Sequence, residues 1–145
     1  MDYGLFVLAL RILVGMIVAV LFAIILFFCG SLTFLPLAPG NAALVTGNLI
    51  IGVGLGAGLG GWLFGLRIGS GRNPGWYELP ATLAIALTGA WLGHLVLSDL
   101  LFSNVSATRI PNANEVYGTL LGALMGAMAL PVFSGTHRVL RRLEP

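Results

Sequence analysis

The sequence predicts an all-α integral membrane protein, a four-transmembrane-helix bundle in a single domain covering residues 1–145. Three observations predict it. Four uncharged apolar stretches, Ile12–Phe34, Ala42–Leu66, Leu79–Leu97 and Val116–Phe133, fill most of the chain. A helix needs roughly 20 apolar residues to cross a hydrocarbon core about 30 Å thick, and each stretch meets or nearly meets that length. Hydrophobic residues make up 58% and charged residues 8%, with a mean hydropathy of +1.01, whereas a soluble domain is about 25% charged. The few charges lie almost entirely between the stretches. With flanking residues included, the spans are drawn at 12–34, 42–66, 79–101 and 115–133.

The first span follows Arg11, the one base before it, and is too long for a cleaved signal peptide; no small-residue cleavage pattern follows. It is expected to be retained. Gly15, Ala19 and Ala23 give it a weak ridge of small residues, and Cys29, the sole cysteine, is read as a packing residue with no disulfide partner in the chain. Pro36, Pro39 and Gly40 then end the helix and turn the chain back in a short loop. The second span carries two glycine rows. Gly52, Gly56 and Gly60 share one face, and Gly54, Gly58, Gly61 and Gly65 lie nearly opposite. Lipid tails are as apolar as Leu, so helices in a bilayer associate through close backbone approach, which such rows permit. One reading uses both faces inside the bundle. The other gives one face to a different subunit.

The connection that follows holds Arg67 and Arg72, then Trp76 and Tyr77 beside Glu78, the placement of interfacial aromatics. Gly69–Gly75 lacks the Gly-Lys-Ser/Thr ending of a phosphate loop and takes no nucleotide role. In the third span His94 is an ionisable group at membrane depth, with Trp91 on its face and Gly93 beside it. Three roles compete for it: a neutral His bonded to a neighbouring carbonyl, to Asn48 or to Asn114; an axial ligand to a tetrapyrrole pigment; or part of a proton path. No protein-only metal site is expected from one His. Asp99 ends this span facing the outer loop, with Arg109 as its candidate partner. That loop, Phe102–Asn114, is the most polar connection, and its Asn104-Val105-Ser106 matches a glycosylation sequon. Glu115 opens the fourth span, where a negative charge favours a helix N-terminus. Gly118, Gly122 and Gly126 repeat the glycine row, and His137, Arg138, Arg141 and Arg142 follow the span.

A shift of 66 residues brings Asn48, Gly52, Leu55, Gly56, Ala57 and Gly60 onto Asn114, Gly118, Leu121, Gly122, Ala123 and Gly126. The fold is therefore read with the option of two duplicated helical hairpins. The bases are one-sided: Arg67 and Arg72 on one connection and Arg138, Arg141 and Arg142 at the tail, against Arg109 alone on the other side. Both termini are expected to be cytoplasmic. Those five arginines are candidate lipid-headgroup contacts, which accounts for the basic pI of about 9.2 without a nucleic-acid partner.

The segment Asn48–Leu66, with Gly52, Gly54, Gly56, Gly58, Gly60, Gly61 and Gly65, resembles the glycine-rich core of the small transglycosylase-associated membrane proteins of bacteria, and Gly118–Leu130 resembles it faintly. Those proteins are shorter, with three spans. The resemblance implies a bacterial inner membrane, and it carries no catalytic residue and no transglycosylase chemistry with it.

The function expected is that of a non-enzymatic accessory or structural subunit. It would pack through its glycine-ridged helices, Gly52, Gly54, Gly56, Gly58, Gly60, Gly118, Gly122 and Gly126, against other integral membrane subunits of a larger complex, respiratory or photosynthetic in kind. Bound lipid is expected, and a tetrapyrrole at His94 is the pigment option. The alternative is a homo-oligomeric small channel or carrier, and a membrane enzyme ranks third.

Overall fold

The computed structural model describes residues 3–66, 75–103 and 113–143, with side chains described for 6–64, 75–103 and 113–133. Helix α1 runs Tyr3–Phe34. Helix α2 covers Ala42–Gly60 and continues as a π-helical segment, Gly61–Leu66. Helix α3 is built from Glu78–Leu92, a π-helical segment Gly93–Leu97, and Ser98–Phe102. Helix α4 runs Ala113–Leu143. All four are long and apolar enough to cross a membrane, and the described residues contain no strand.

Two helix ends depart from the expected spans. The α1 helix begins nine residues before Ile12, and α4 passes Phe133 to reach Leu143. An apolar run marks the window a bilayer would hold, whereas a helix continues through charges as long as its backbone bonds do. At about 1.5 Å per residue these two helices are about 48 and 46 Å long, well over the roughly 30 Å of a hydrocarbon core. Both overhang at the same end of the bundle. Pro131 sits inside α4; lacking an N–H, it cannot bond the Ala127 carbonyl, and the helix carries on past it.

The α1–α2 turn is a 3-10 segment, Leu35–Leu37, with Pro36 in its first positions. Gly40 then takes a φ of 82°, open to glycine at little cost. Asn41 caps α2, its side-chain oxygen accepting from the backbone N–H groups of Ala43 at 3.1 Å and Leu44 at 3.3 Å.

Helices α1 and α2 form one antiparallel hairpin and α3 and α4 the other, and these are the two most extensive interfaces. Helices α2 and α4 also touch each other, so they lie inside, with α1 and α3 flanking. The buried share of the apolar window records this, 39% for α2 and 44% for α4 against 17% for α1 and 22% for α3.

The hairpins have matching registers. Gly52, Gly56 and Gly60 lie against Phe27, Ala23 and Ala19, while Gly118, Gly122 and Gly126 lie against Gly93, Gly89 and Ile85. A shift of 66 carries every member of the first set onto its counterpart in the second. The approach is backbone to backbone. A Cβ on Gly60 would stand 2.7 Å from the Ala19 Cα, and one on Gly126 would stand 2.9 Å from the Ala86 Cα. Between the hairpins, Gly61 meets Ala127, the residue onto which the same shift carries it.

The second glycine face of α2 is also enclosed. Gly54 lies against Leu87 and Ala90, and Gly58 against Leu83 and Ala86, all on α3. Of the two readings of these glycine rows, both faces are used inside the bundle: α2 has α1 on one side, α3 on the other and α4 alongside. The core is correspondingly small in grain, with Ala19, Ala23, Ala57, Ala86, Ala90, Ala123 and Ala127 inaccessible. Large apolar side chains point outward instead, among them Leu13, Ile17, Leu21, Ile25 and Phe28 on α1.

Candidate functional site

His94 stands in the π-helical segment of α3, where the Ser98 N–H reaches back to the Gly93 carbonyl. The Ser98 hydroxyl donates to the His94 carbonyl at 2.5 Å. Across the interface, Thr119 of α4 is fully buried, and its hydroxyl donates to the Glu115 carbonyl at 2.6 Å. The same oxygen lies 3.4 Å from His94 Nδ1, a long contact. A threonine hydroxyl has one proton, and here it points to Glu115. Toward His94 the oxygen can therefore only accept, so a bond across this interface requires the proton on Nδ1.

This partner differs from the two expected ones. Asn48 serves α1 instead, its amide donating to the Ser31 hydroxyl at 2.9 Å and the Phe27 carbonyl at 3.3 Å. Gly30 makes room for it, since a Cβ there would collide with the Asn48 side-chain oxygen. Asn114 precedes Thr119 by more than a turn of α4. On its α4 side Gly93 is closed, since a Cβ on it would run into the Gly118 carbonyl. Trp91 and Asp99 are exposed and Glu115 half-buried. Among the described residues no three His, Cys, Asp or Glu side chains gather as a metal site.

Of the arginines expected at headgroups, Arg67 and Arg72 lie outside the described residues, as do Arg109 and the sequon. Arg138, Arg141 and Arg142 fall within helix α4, with side chains outside the described set.

Buried hydroxyls were the residues the sequence reading missed. Thr82, Ser98 and Thr119 are all buried, and each donates to the carbonyl four residues back. A hydroxyl satisfied within its own helix can sit inside an apolar bundle at little cost, so it leaves no break in a hydropathy profile. Trp62 was missed for a different reason: it is 8% exposed, its indole N–H donates to the Gly75 carbonyl at 3.1 Å, and its ring lies 5.3 Å from that of Trp76. It plugs the end of the bundle where α2 meets the start of α3.

Two long apolar grooves mark the outside. One, of ≈ 580 Å³, follows the α3–α4 hairpin over Ile85, Gly89, Gly93, Gly122 and Gly126, with Thr88 and Met125 on its walls. The other, of ≈ 600 Å³, follows the seam between α1 and α4. No family model, curated protein or solved structure matches this chain.

Proposed function

We propose that this chain is an integral membrane protein of a bacterial inner membrane, built from two duplicated helical hairpins, and that it serves as a non-enzymatic accessory subunit held against a larger membrane complex. Insertion is supported by four spans of bilayer length and by an outer surface of Leu, Ile, Val and Phe side chains around a Gly and Ala interior, the arrangement lipid favours. Duplication is supported by the identical registers of the two hairpins. The bacterial setting rests on the resemblance of Asn48–Leu66 to the transglycosylase-associated proteins, and cytoplasmic termini rest on the one-sided arginines.

The observation that carries the accessory role is the α3–α4 groove. Close backbone approach at Gly89, Gly93, Gly122 and Gly126 leaves a concave, almost wholly apolar outer face at mid-span, with no basic residue along it. A transmembrane helix of another subunit presenting Leu-sized side chains fits such a face, because small residues at the floor let the partner backbone come near. The test fills the groove from its exposed wall. Thr88→Trp and Ala84→Trp should remove co-purifying membrane subunits in mild detergent while the bundle elutes and melts as the parent does; partners retained by both variants would sink the reading. Orientation is tested separately, by replacing the exposed Cys29 and labelling single cysteines in intact cells. A cysteine at Gly40 should react with an impermeant reagent and one at Arg138 should not.

A further inference from the structure

We propose that the seam between α1 and α4 is a specific site for one acyl chain of an anionic phospholipid, in the leaflet on the side of the two termini; this rests on the membrane reading given above. The groove is lined by Ile12 and Met16 of α1 and by Leu121, Leu124, Met128 and Phe133 of α4. It exists because this seam lacks what closes its counterpart. The shift of 66 that superimposes the hairpins puts Leu120 and Leu124 where α2 has Gly54 and Gly58, and Met128 where α2 has Trp62. At the α2–α3 seam the two glycines bring the helices together and the indole fills the end. At the α1–α4 seam two leucines hold them apart and a thinner side chain leaves the end open.

Length and charge choose the occupant. From Leu121 to Phe133 the groove runs about 18 Å along α4, close to the roughly 15 Å that is half of a hydrocarbon core, so it spans one leaflet and not the bilayer. Ile12 and Phe133 mark the end nearer the termini. There Arg11, exposed on α1, immediately precedes Ile12, and α4 continues past Phe133 through His137, Arg138, Arg141 and Arg142. In those two terminal segments the acids are Asp2 and Glu144. Arg11 thus stands at this end of the groove, and the sequence of α4 beyond Phe133 is basic; beside such bases a lipid phosphate carrying net negative charge is favoured over a zwitterion. Met16, Met125 and Met128 give the lipid groove unbranched, adaptable walls suited to a mobile chain.

The experiment reconstitutes the full chain in vesicles of phosphatidylcholine containing a small share of phosphatidylglycerol that bears a diazirine on its acyl chain. After photolysis, adducts are mapped by peptide mass spectrometry. Labelling at Ile12–Met16 and Leu121–Phe133 should exceed that at the α2–α3 seam at least threefold, and should fall to that background in Ala129→Trp and Val132→Trp, which fill the groove from exposed positions. Arg11→Gln should lower it, and the same diazirine on phosphatidylcholine should label the seam less. Uniform labelling of all exposed helices, indifference to both Trp variants, or equal labelling by the two headgroups would overturn the proposal while leaving the membrane reading intact. Absence of adducts anywhere would remove the membrane reading itself.

Discussion

The two seams between the hairpins join equivalent helices and end up different. At α2–α3 a Cβ added to Gly58 would stand 3.1 Å from the Leu83 Cα, and Trp62 closes the end. At α1–α4 the equivalent places hold Leu124 and Met128, and a groove of ≈ 600 Å³ remains. Within the hairpins the shared glycines give one register twice; between them, three differing residues go with a closed seam and an open one. The difference teaches that in a bundle of this grain the identity of one residue per turn sets the spacing between helices, and that a seam held apart leaves a groove on the outer surface.

The largest effect should come from making the closed seam resemble the open one by brute size. Gly58→Leu drives a side chain into the Leu83 and Ala86 backbone region, and should cost about 3 kcal/mol or more, at or beyond the upper end of ordinary overpacking. Thermal unfolding in detergent checks it, and a melting temperature equal to the parent's would mean that the seam is already loose. Trp62→Met makes the same conversion by removal. It should cost about 2 kcal/mol, in the range for truncating a buried large side chain, and should open a second lipid-accessible groove detectable by acyl-diazirine labelling near Gly58.

Smaller effects probe the polar contacts that distinguish the hairpins. Asn48→Ala removes the bonds to Ser31 and Phe27 and should cost about 1 kcal/mol, confined to the α1–α2 hairpin; hydrogen exchange faster than the parent's in α1 and unchanged in α3 is the signature to look for. Smallest of all is the His94–Thr119 contact. His94→Leu and Thr119→Val should each cost about 0.6–1 kcal/mol with no change in visible absorption, and a double-mutant cycle should show coupling below the cost of either. A coloured preparation that loses its band only in His94→Leu would show that His94 ligates a pigment.

Much of the fold was legible because a bilayer-length apolar run is an unusually direct statement about local structure. The hairpin turn at Pro36, Pro39 and Gly40 was legible for the same reason, proline and glycine acting locally. Where reading stopped, the missing information was relational. The glycine rows of α2 identify two approachable faces, yet nothing in α2 says that α1 and α3 occupy both. His94 could be singled out from its depth, whereas Thr119 was hidden by a hydroxyl that satisfies itself within α4. The overhangs of α1 and α4 escaped because hydropathy reports the length that lipid would cover. Leu124 and Met128 looked ordinary until the shift of 66 put them in the places of Gly58 and Trp62.

The Gly and Ala interior has a consequence for how this chain can vary over time. Gly52, Gly56, Gly60, Gly118, Gly122 and Gly126 are already at the bottom of the side-chain size scale, so every replacement at these positions is an enlargement. An ordinary core drifts in both directions, one residue shrinking as a neighbour grows. Here each of these glycines abuts backbone atoms of the facing helix, which no substitution can shrink, so a gain at one glycine has no compensating partner across the interface. Variation should accordingly collect on the outward Leu, Ile and Phe positions, which exchange among themselves freely, while the middle of the bundle stays frozen.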